Sequence, residues 1–405
     1  MNTTSAERER SALPRPQGIR LSGIYFVTFL AYSAILPYIA LYYSSIGFSG
    51  LQIGALLGLG QILSLVATPF WTGVADASKR HHLVLVGGIL VLLAGYAVIP
   101  ILGSFTQVLV AVVLIALLSS QVISLQDSAT MHMLGARRDL YGRLRLWGTV
   151  GWGIGAPLFG QLFDKYGLVW MFWSYSILMA VSLLLVNKLE FDQTKQAASV
   201  FSGLRELTRS STWRLFLLIS FLAALGMAAH NSYLSLLVQD LGAAGQTVFG
   251  LLIPATTIVG IVLLISTICE IPVMFFSNSL LLRFGDRGLL LASLAVISLR
   301  NMLYVISTNA LHVFAVQVLH GFTFAALWVA GVNFVAQNAP TGLNATAQGL
   351  FNTVLIGFGF AAGNLLSGVL IDLIGVKAMF AATSVLVLSG LIVVVGLNRR
   401  FRIFK

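Results

Sequence analysis

The sequence predicts an all-α integral membrane protein, with twelve transmembrane helices arranged as two pseudo-symmetric six-helix bundles. Three observations carry that prediction. First, hydrophobic residues make up 58% of the 405 residues and charged residues only 9%, against roughly 25% charged in a soluble globular domain. A bilayer-spanning helix needs about 20 apolar residues, so twelve spans with short connections fill the chain and leave no room for a sizeable soluble domain. Second, Lys and Arg gather in every second connection. Third, the segment 151–167 recurs at 359–375.

Taken in order, the chain opens with a polar, Arg-rich tail over 1–20. A long apolar span follows without an A-x-A cleavage site, so an uncleaved first helix is expected and not a signal peptide. Apolar runs place spans at 21–43, 51–75, 83–102, 105–130, 144–163 and 168–187 in the first half. Those of the second half fall at 213–239, 256–277, 289–307, 311–336, 346–371 and 378–397. The apolar run from 246 to 277 is too long for one upright span, so Pro254 and Gly260 are expected to separate a short extracellular piece from the eighth helix. The most polar interior stretch, 188–212, divides six helices from six and reads as a cytoplasmic linker. The resulting organisation is a cytoplasmic tail 1–20, a bundle 21–187, the linker 188–212, a bundle 213–397 and a cytoplasmic tail 398–405.

The formal net charge of +11 raises the question of nucleic acid, and the placement of the charges answers it. Basic residues cluster at 8–20, 79–80, 137–145, 188–214, 283–287 and 399–405. Only Lys165 and Lys377 fall in the opposite connections, and Arg300 falls inside a span. This is the positive-inside pattern with both termini cytoplasmic, so the expected partner is the lipid bilayer and no nucleic acid. The one cysteine, Cys269, lies in an apolar segment, so there is no disulfide framework.

The repeat reads GWGIGAPLFGQLFDKYG at 151–167 and GFAAGNLLSGVLIDLIG at 359–375. A shift of 208 aligns Gly151 with Gly359, Gly155 with Gly363, Gly160 with Gly368, Asp164 with Asp372 and Gly167 with Gly375. Both copies carry G-x-x-x-G, which lets helix backbones approach closely. In a moving protein that smooth contact also suits sliding.

Several stretches carry a family resemblance over the whole chain. Asp127 followed by YGRLRLWGTVGW at 141–152 is similar to the fourth and fifth helices of the phenylpropionate-permease group and of lactose permease. CEIPVMFF at 269–276, SLR at 298–300 and LHGFTF at 319–324 also resemble the phenylpropionate permease. ATAQGLF with GFG at 345–359 resembles that group and the nucleoside–proton symporters. The chain is thus identified as a member of the major facilitator superfamily. The superfamily's loop signature, G-x-x-x-D-R-x-G-R-R, is degraded here to Trp71, Thr72, Asp76, Ala77, Lys79 and Arg80. The resemblance implies that Asp76, Lys79 and Arg80 form a cytoplasmic gating loop, although ordinary positive-inside charge explains the two basic residues equally well. Arg283-Phe-Gly-Asp286-Arg287 is a partial match in the second half.

Ionisable groups near the bilayer midplane are costly, so each needs a reason. Glu270, Arg300 and His320 each lie near the middle of a span. Arg300 and Glu270 are expected to pair, since an unpaired buried charge costs several kcal/mol. Such a pair either fixes packing or carries a proton. Low dielectric favours a neutral carboxyl, and a nearby arginine favours the charged one. A glutamate between these influences gains and loses a proton as its partner moves, as proton coupling requires. His320 is expected to hydrogen-bond Glu270 or the solute.

In the first half, Asp127 is placed at the end of the fourth helix and Arg145 at the start of the fifth, joined by 17 residues. Arg145 and Trp152, two turns apart, share a face. A carboxylate, a guanidinium and an indole suit a sugar-like or aromatic solute, the pair holding polar groups and the indole stacking on an apolar ring face. A cytoplasmic-end salt bridge and lipid-facing packing are the competing explanations. In lactose permease the matching Glu, Arg and Trp form the sugar site, which the resemblance carries to these three positions. Departures weigh against galactoside specificity: Thr323 stands where that permease has its proton-carrying carboxylate, and Gln317 replaces an intramembrane lysine. His230 and Tyr233, one turn apart on the seventh helix, are weaker candidates to line the path. Pro37, Pro157 and Pro272 mark bending points.

These readings lead to a secondary transporter, a proton-coupled symporter importing a small organic solute such as an oligosaccharide, nucleoside or aromatic acid. It is expected to work by alternating access, as a plasma-membrane monomer with no cofactor. A proton-antiport exporter is the alternative. Against it, Gly151, Gly155, Pro157 and Gly160 give only a partial version of the exporters' helix-five motif. A non-transporting scaffold or sensor would leave the midplane charges unexplained. Neither a metal-ligand set, a nucleophile–base pair nor a G-x-x-x-x-G-K-[ST] loop occurs, which argues against an enzyme and excludes an ATP-driven pump within this chain.

Overall fold

The structure, a computed structural model, describes residues 15–401 apart from 136, 138, 139, 192–203, 243, 244, 249, 341 and 342. Most of the two tails, and the middle of the linker, lie outside the described residues. Twelve spans follow in order, and their bounds track the apolar runs because each run must keep its backbone hydrogen bonds internal in lipid. The first half comprises α1 (Arg15–Ile35, continued by Ile39–Ser45), α2 (Gly50–Ser78), α3 (His81–Val98), α4 (Phe105–Ser119 and Val122–Leu134), α5 (Tyr141–Tyr166) and α6 (Trp170–Val186). The second comprises α7 (Ser211–Leu241), α8 (Ala255–Phe275), α9 (Ser277–Ile306), α10 (Ala310–Asn338), α11 (Asn344–Ile374) and α12 (Val376–Phe401). Among the described residues ten helices are long and apolar enough to cross a membrane, and α6 is a shorter apolar one. The twelfth, α5, has 26 residues, and Arg143, Arg145, Asp164 and Lys165 dilute its apolar character.

Several boundaries differ from expectation. Helix α1 begins within the expected tail and α12 runs into the other, because a helix can continue into water once its apolar part is anchored. The linker contributes a short helix, Leu204–Arg209, immediately before α7. Helix α4 breaks at Ser120–Gln121 and continues to Leu134, while α5 starts at Tyr141. Asp127 and Arg145 therefore lie inside their helices and not at the ends. Between α7 and α8 stands a two-stranded antiparallel hairpin, β1 (Gln246–Val248) with β2 (Leu251–Ile253). Pro254 caps α8 as expected, but Gly260 lies inside that helix. Gly285, at φ 66, separates a first segment of α9 from its spanning part.

Each half packs around its own inner helices, α1 against α5 and α6 in one, α7 against α9, α11 and α12 in the other. One apolar core runs through the first half and crosses into the second at the end opposite the chain termini, through Tyr233, Leu237, Ile258 and Val262. A separate core, around Phe216, Leu294, Phe334 and Phe351, stays within the second half.

The halves meet along α2 with α11 and α5 with α8, and the two contacts are copies of one another. A Cβ on Gly54 would stand 2.6 Å from the Asn364 carbonyl oxygen, and one on Gly260 would stand 2.5 Å from that of Ala156. Nearer the rim, a Cβ on Gly50 would fall 2.3 Å from the carbonyl of Gly368, and one on Gly160 would fall 2.6 Å from that of Thr256. Only glycine tolerates such approach. Two buried tyrosines tie down the approached carbonyls from within their own halves: Tyr38 donates to Ala156 O and Tyr233 to Asn364 O, each at 2.7 Å. At the rim the aspartates of the repeat each cap a helix N-terminus in the other half. Asp372 accepts from the backbone N–H groups of Gly50 (2.6 Å) and Leu51 (2.8 Å). Asp164 accepts from the N–H of Thr257 (3.1 Å) and from the hydroxyls of Thr256 and Thr257. The repeat's last glycines, Gly167 and Gly375, end α5 and α11 at φ 92 and 83. These hydrogen bonds between the halves all lie at this end.

Candidate functional site

The second half gathers its three ionisable residues into a chain. Arg300 of α9 is 1% exposed. Its side chain reaches α10, where Nη1 approaches His320 Nδ1 at 2.8 Å and Thr323 Oγ1 at 3.3 Å, and Nη2 donates to Gln317 Oε1. Nε donates to Tyr304 Oη at 3.2 Å, and Tyr304 in turn donates to Gln317 Oε1 at 2.8 Å. On its other side, His320 Nε2 lies 2.8 Å from Glu270 Oε1 of α8. The expected direct Arg300–Glu270 pair is therefore corrected: the imidazole stands between them. The arginine is ringed by neutral acceptors on α9 and α10, while Glu270 belongs to the neighbouring helix.

Donor accounting fixes the proton on His320. A guanidinium nitrogen has only donors to offer. Nδ1 must therefore accept from Arg300, so the hydrogen sits on Nε2 and is donated to Glu270. Glu270 thus acts as an acceptor, and a second proton on the imidazole would set two donors against each other. Both side chains keep some exposure, 13% for His320 and 20% for Glu270, whereas Arg300 has almost none.

In the first half, Asp127 accepts from Tyr25 Oη at 2.7 Å. The Arg145 guanidinium lies over the ring of Phe29, 4.0 Å from its centroid, and 5.4 Å from that of Tyr25. Among the described residues Asp127 and Arg145 form no ion pair, so the competing reading of a cytoplasmic-end salt bridge is not met: their partners are Tyr25 and Phe29 on α1. Trp152 is half-buried on α5. It precedes Gly153, whose Cβ position falls 3.1 Å from Thr267 of α8, one turn before Glu270. Trp152 and Glu270 thus lie within one turn of the same α5–α8 contact between the halves.

The remaining candidates have other surroundings. His230 is buried with Nδ1 3.0 Å from Asn301 Oδ1, and Tyr233 serves the helix contact described above. Asp76 meets His81 at 2.7 Å within its own half, and Lys79 and Arg80 are exposed. Sequence reasoning missed Tyr25, Phe29 and Tyr304. Tyr304 had a readable signal, one helical turn beyond Arg300, whereas Tyr25 and Phe29, aromatic residues on an apolar helix, had none.

A profile of the MFS_1 like family matches residues 18–382. The chain is 26% identical over 381 residues to the maltose permease of Geobacillus stearothermophilus, covering 93% of this chain and 94% of that one. It is 26% identical over 363 residues to a probable 3-phenylpropionic acid transporter of Escherichia coli K12, covering 87% and 90%. The solved nucleoside transporter NupG superposes with a TM-score of 0.83 at 16% identity, covering 96% of this chain and 99% of its own. The chain belongs to the MFS_1 like family within the major facilitator superfamily, and it is a membrane transporter.

Proposed function

We propose that this transporter is a proton-coupled symporter importing a polyhydroxylated solute of disaccharide size, in a plasma membrane with both termini cytoplasmic. The observation that carries the reading is the Glu270–His320–Arg300 chain. An uncompensated buried charge is expensive, and here the arginine's charge is linked to its carboxylate only through an imidazole. That link lengthens or shortens as α8 and α10 move, so the affinity of Glu270 for a proton depends on conformation. The fixed imidazole tautomer makes Glu270, and not His320, the carrier of that proton.

Asp127, Arg145 and Trp152 are the solute-binding residues in this reading. A carboxylate and a guanidinium that are not spent on each other remain available to hydroxyls. The match to a maltose permease over nearly the full length of both chains favours a sugar over a nucleoside or an aromatic acid. The basic connections at 79–80, 137–145 and 283–287 lie on the face of the termini and are placed in the cytoplasm by the positive-inside pattern. The test is uptake into vesicles of maltose, a nucleoside and 3-phenylpropionate, with and without an imposed proton gradient. Maltose accumulation that collapses with the gradient is expected. Gradient-independent uptake, or uptake of the aromatic acid alone, overturns the coupling or the substrate class respectively.

A further inference from the structure

We propose that Asp164 and Asp372 are twin extracellular latches that set the balance between inward- and outward-open states, each releasing a helix N-terminus of the opposite half when the carrier turns outward. The four unpaired N–H groups at a helix start, with the positive end of the helix dipole, attract a carboxylate. In α2 and α8 those groups point at an aspartate from the other half and not at a residue of their own segment alone. The arrangement is built twice. Asp164 and Asp372 are 208 residues apart, and Gly50 and Thr256, in the first turns of their targets, are 206 apart. Two independent copies at equivalent places are unlike a chance surface contact.

The chemistry suits a reversible catch. Both aspartates are exposed at the rim, so water replaces the lost partners as soon as the helices part. The glycine contacts beneath them carry no side chain that must be withdrawn. A cap of this kind contributes modestly, so release does not demand a large driving force. Opening at this end breaks both caps together, because they flank the same pair of interfaces.

The word extracellular rests on the orientation proposed above, whereas the latch itself depends on neither solute nor proton. The experiment therefore reads geometry alone. In a Cys269→Ser background, Lys165→Cys and Lys377→Cys carry spin labels on opposite halves at the latched end, and Ser78→Cys with Arg283→Cys carry them at the other. Distances are measured by pulsed dipolar spectroscopy in lipid nanodiscs. The parent should give mainly the short distance at the latched end. Asp164→Ala and Asp372→Ala should each raise the open fraction about fivefold, the usual worth of an N-cap. Together they should raise it about 25-fold, because separate interfaces acting on one equilibrium multiply. Asn at either position, keeping one acceptor oxygen, should give a smaller shift and guards against loss of the folded protein. An unchanged distribution in the double variant overturns the proposal, even if its melting temperature falls. A double variant no more open than either single one overturns the claim of two independent latches.

Discussion

Replacing Glu270 by Gln isolates the proton from the rest of the site. Glu270 Oε1 accepts from His320 Nε2 at 2.8 Å, and the amide oxygen of Gln can accept the same hydrogen bond. Packing, the imidazole tautomer and the ring of acceptors around Arg300 should all persist, so the change removes charge with little else. The variant mimics the permanently protonated carrier. It should still exchange labelled for unlabelled solute, since the loaded carrier crosses without releasing a proton. It should fail to concentrate solute, since the empty carrier cannot return deprotonated. One proton moved through 100 mV is worth about 2.3 kcal/mol, or about 50-fold in accumulation ratio. The assay compares counterflow with gradient-driven uptake in the same vesicles. Retained accumulation refutes Glu270 as the carrier. Loss of both activities refutes it as well, by making Glu270 a binding or folding residue.

Three further outcomes are expected. Arg145→Lys should weaken solute binding at least tenfold by equilibrium titration, since an ammonium keeps the charge but neither the planar stacking on Phe29 nor the two-pronged geometry; wild-type affinity would remove Arg145 from the binding site. Arg300→Met should lower stability by about 3–5 kcal/mol, because His320 Nδ1 loses its buried donor, Gln317 Oε1 loses one of two and Glu270 its linked cation; a thermal scan in detergent showing no loss would contradict the wiring. Single cysteines at 165 and 377 should react with a membrane-impermeant thiol reagent added outside intact cells, and labelling only from the cytoplasmic side would invert the topology.

The spans were legible because lipid admits few solutions: an apolar run of helical length has nowhere else to place its backbone. The interior breaks were less so. Ser120–Gln121 interrupts α4 inside an apolar run and left no change in composition, while before α8 the excess length and Pro254 marked a break but not that the extra piece is a hairpin. The three midplane ionisable residues stood out by their cost. Their connection did not, since whether Arg300 meets Glu270 or His320 depends on the rotation of α8, α9 and α10 about their axes, which single-helix periodicity cannot fix. The aspartates of the repeat were visible as a matched pair, yet at a loop edge nothing in the sequence says which helix they cap. Tyr233 looked like a lining residue and holds a carbonyl instead.

Two stretches of the second half wind more widely than an α-helix, Gly321–Ala325 directly after His320 and Thr353–Gly359 in α11. Such a turn holds one residue more than its neighbours. Residues before and after it are therefore out of phase by about 100° compared with an uninterrupted helix. In α10 this decouples two tasks. The part that presents Gln317 and His320 to Arg300 keeps one angular setting, and the part that packs Leu327 and Phe334 into the second-half core keeps another. Deleting a single residue from 321–325 would restore even winding and set those two faces against each other, with no change of composition. The repeat partner of α11, α5, runs without such a turn. The twofold scaffold is thus put out of register with itself in the half that holds the charge chemistry, which is how a duplicated frame can come to carry an unduplicated machine.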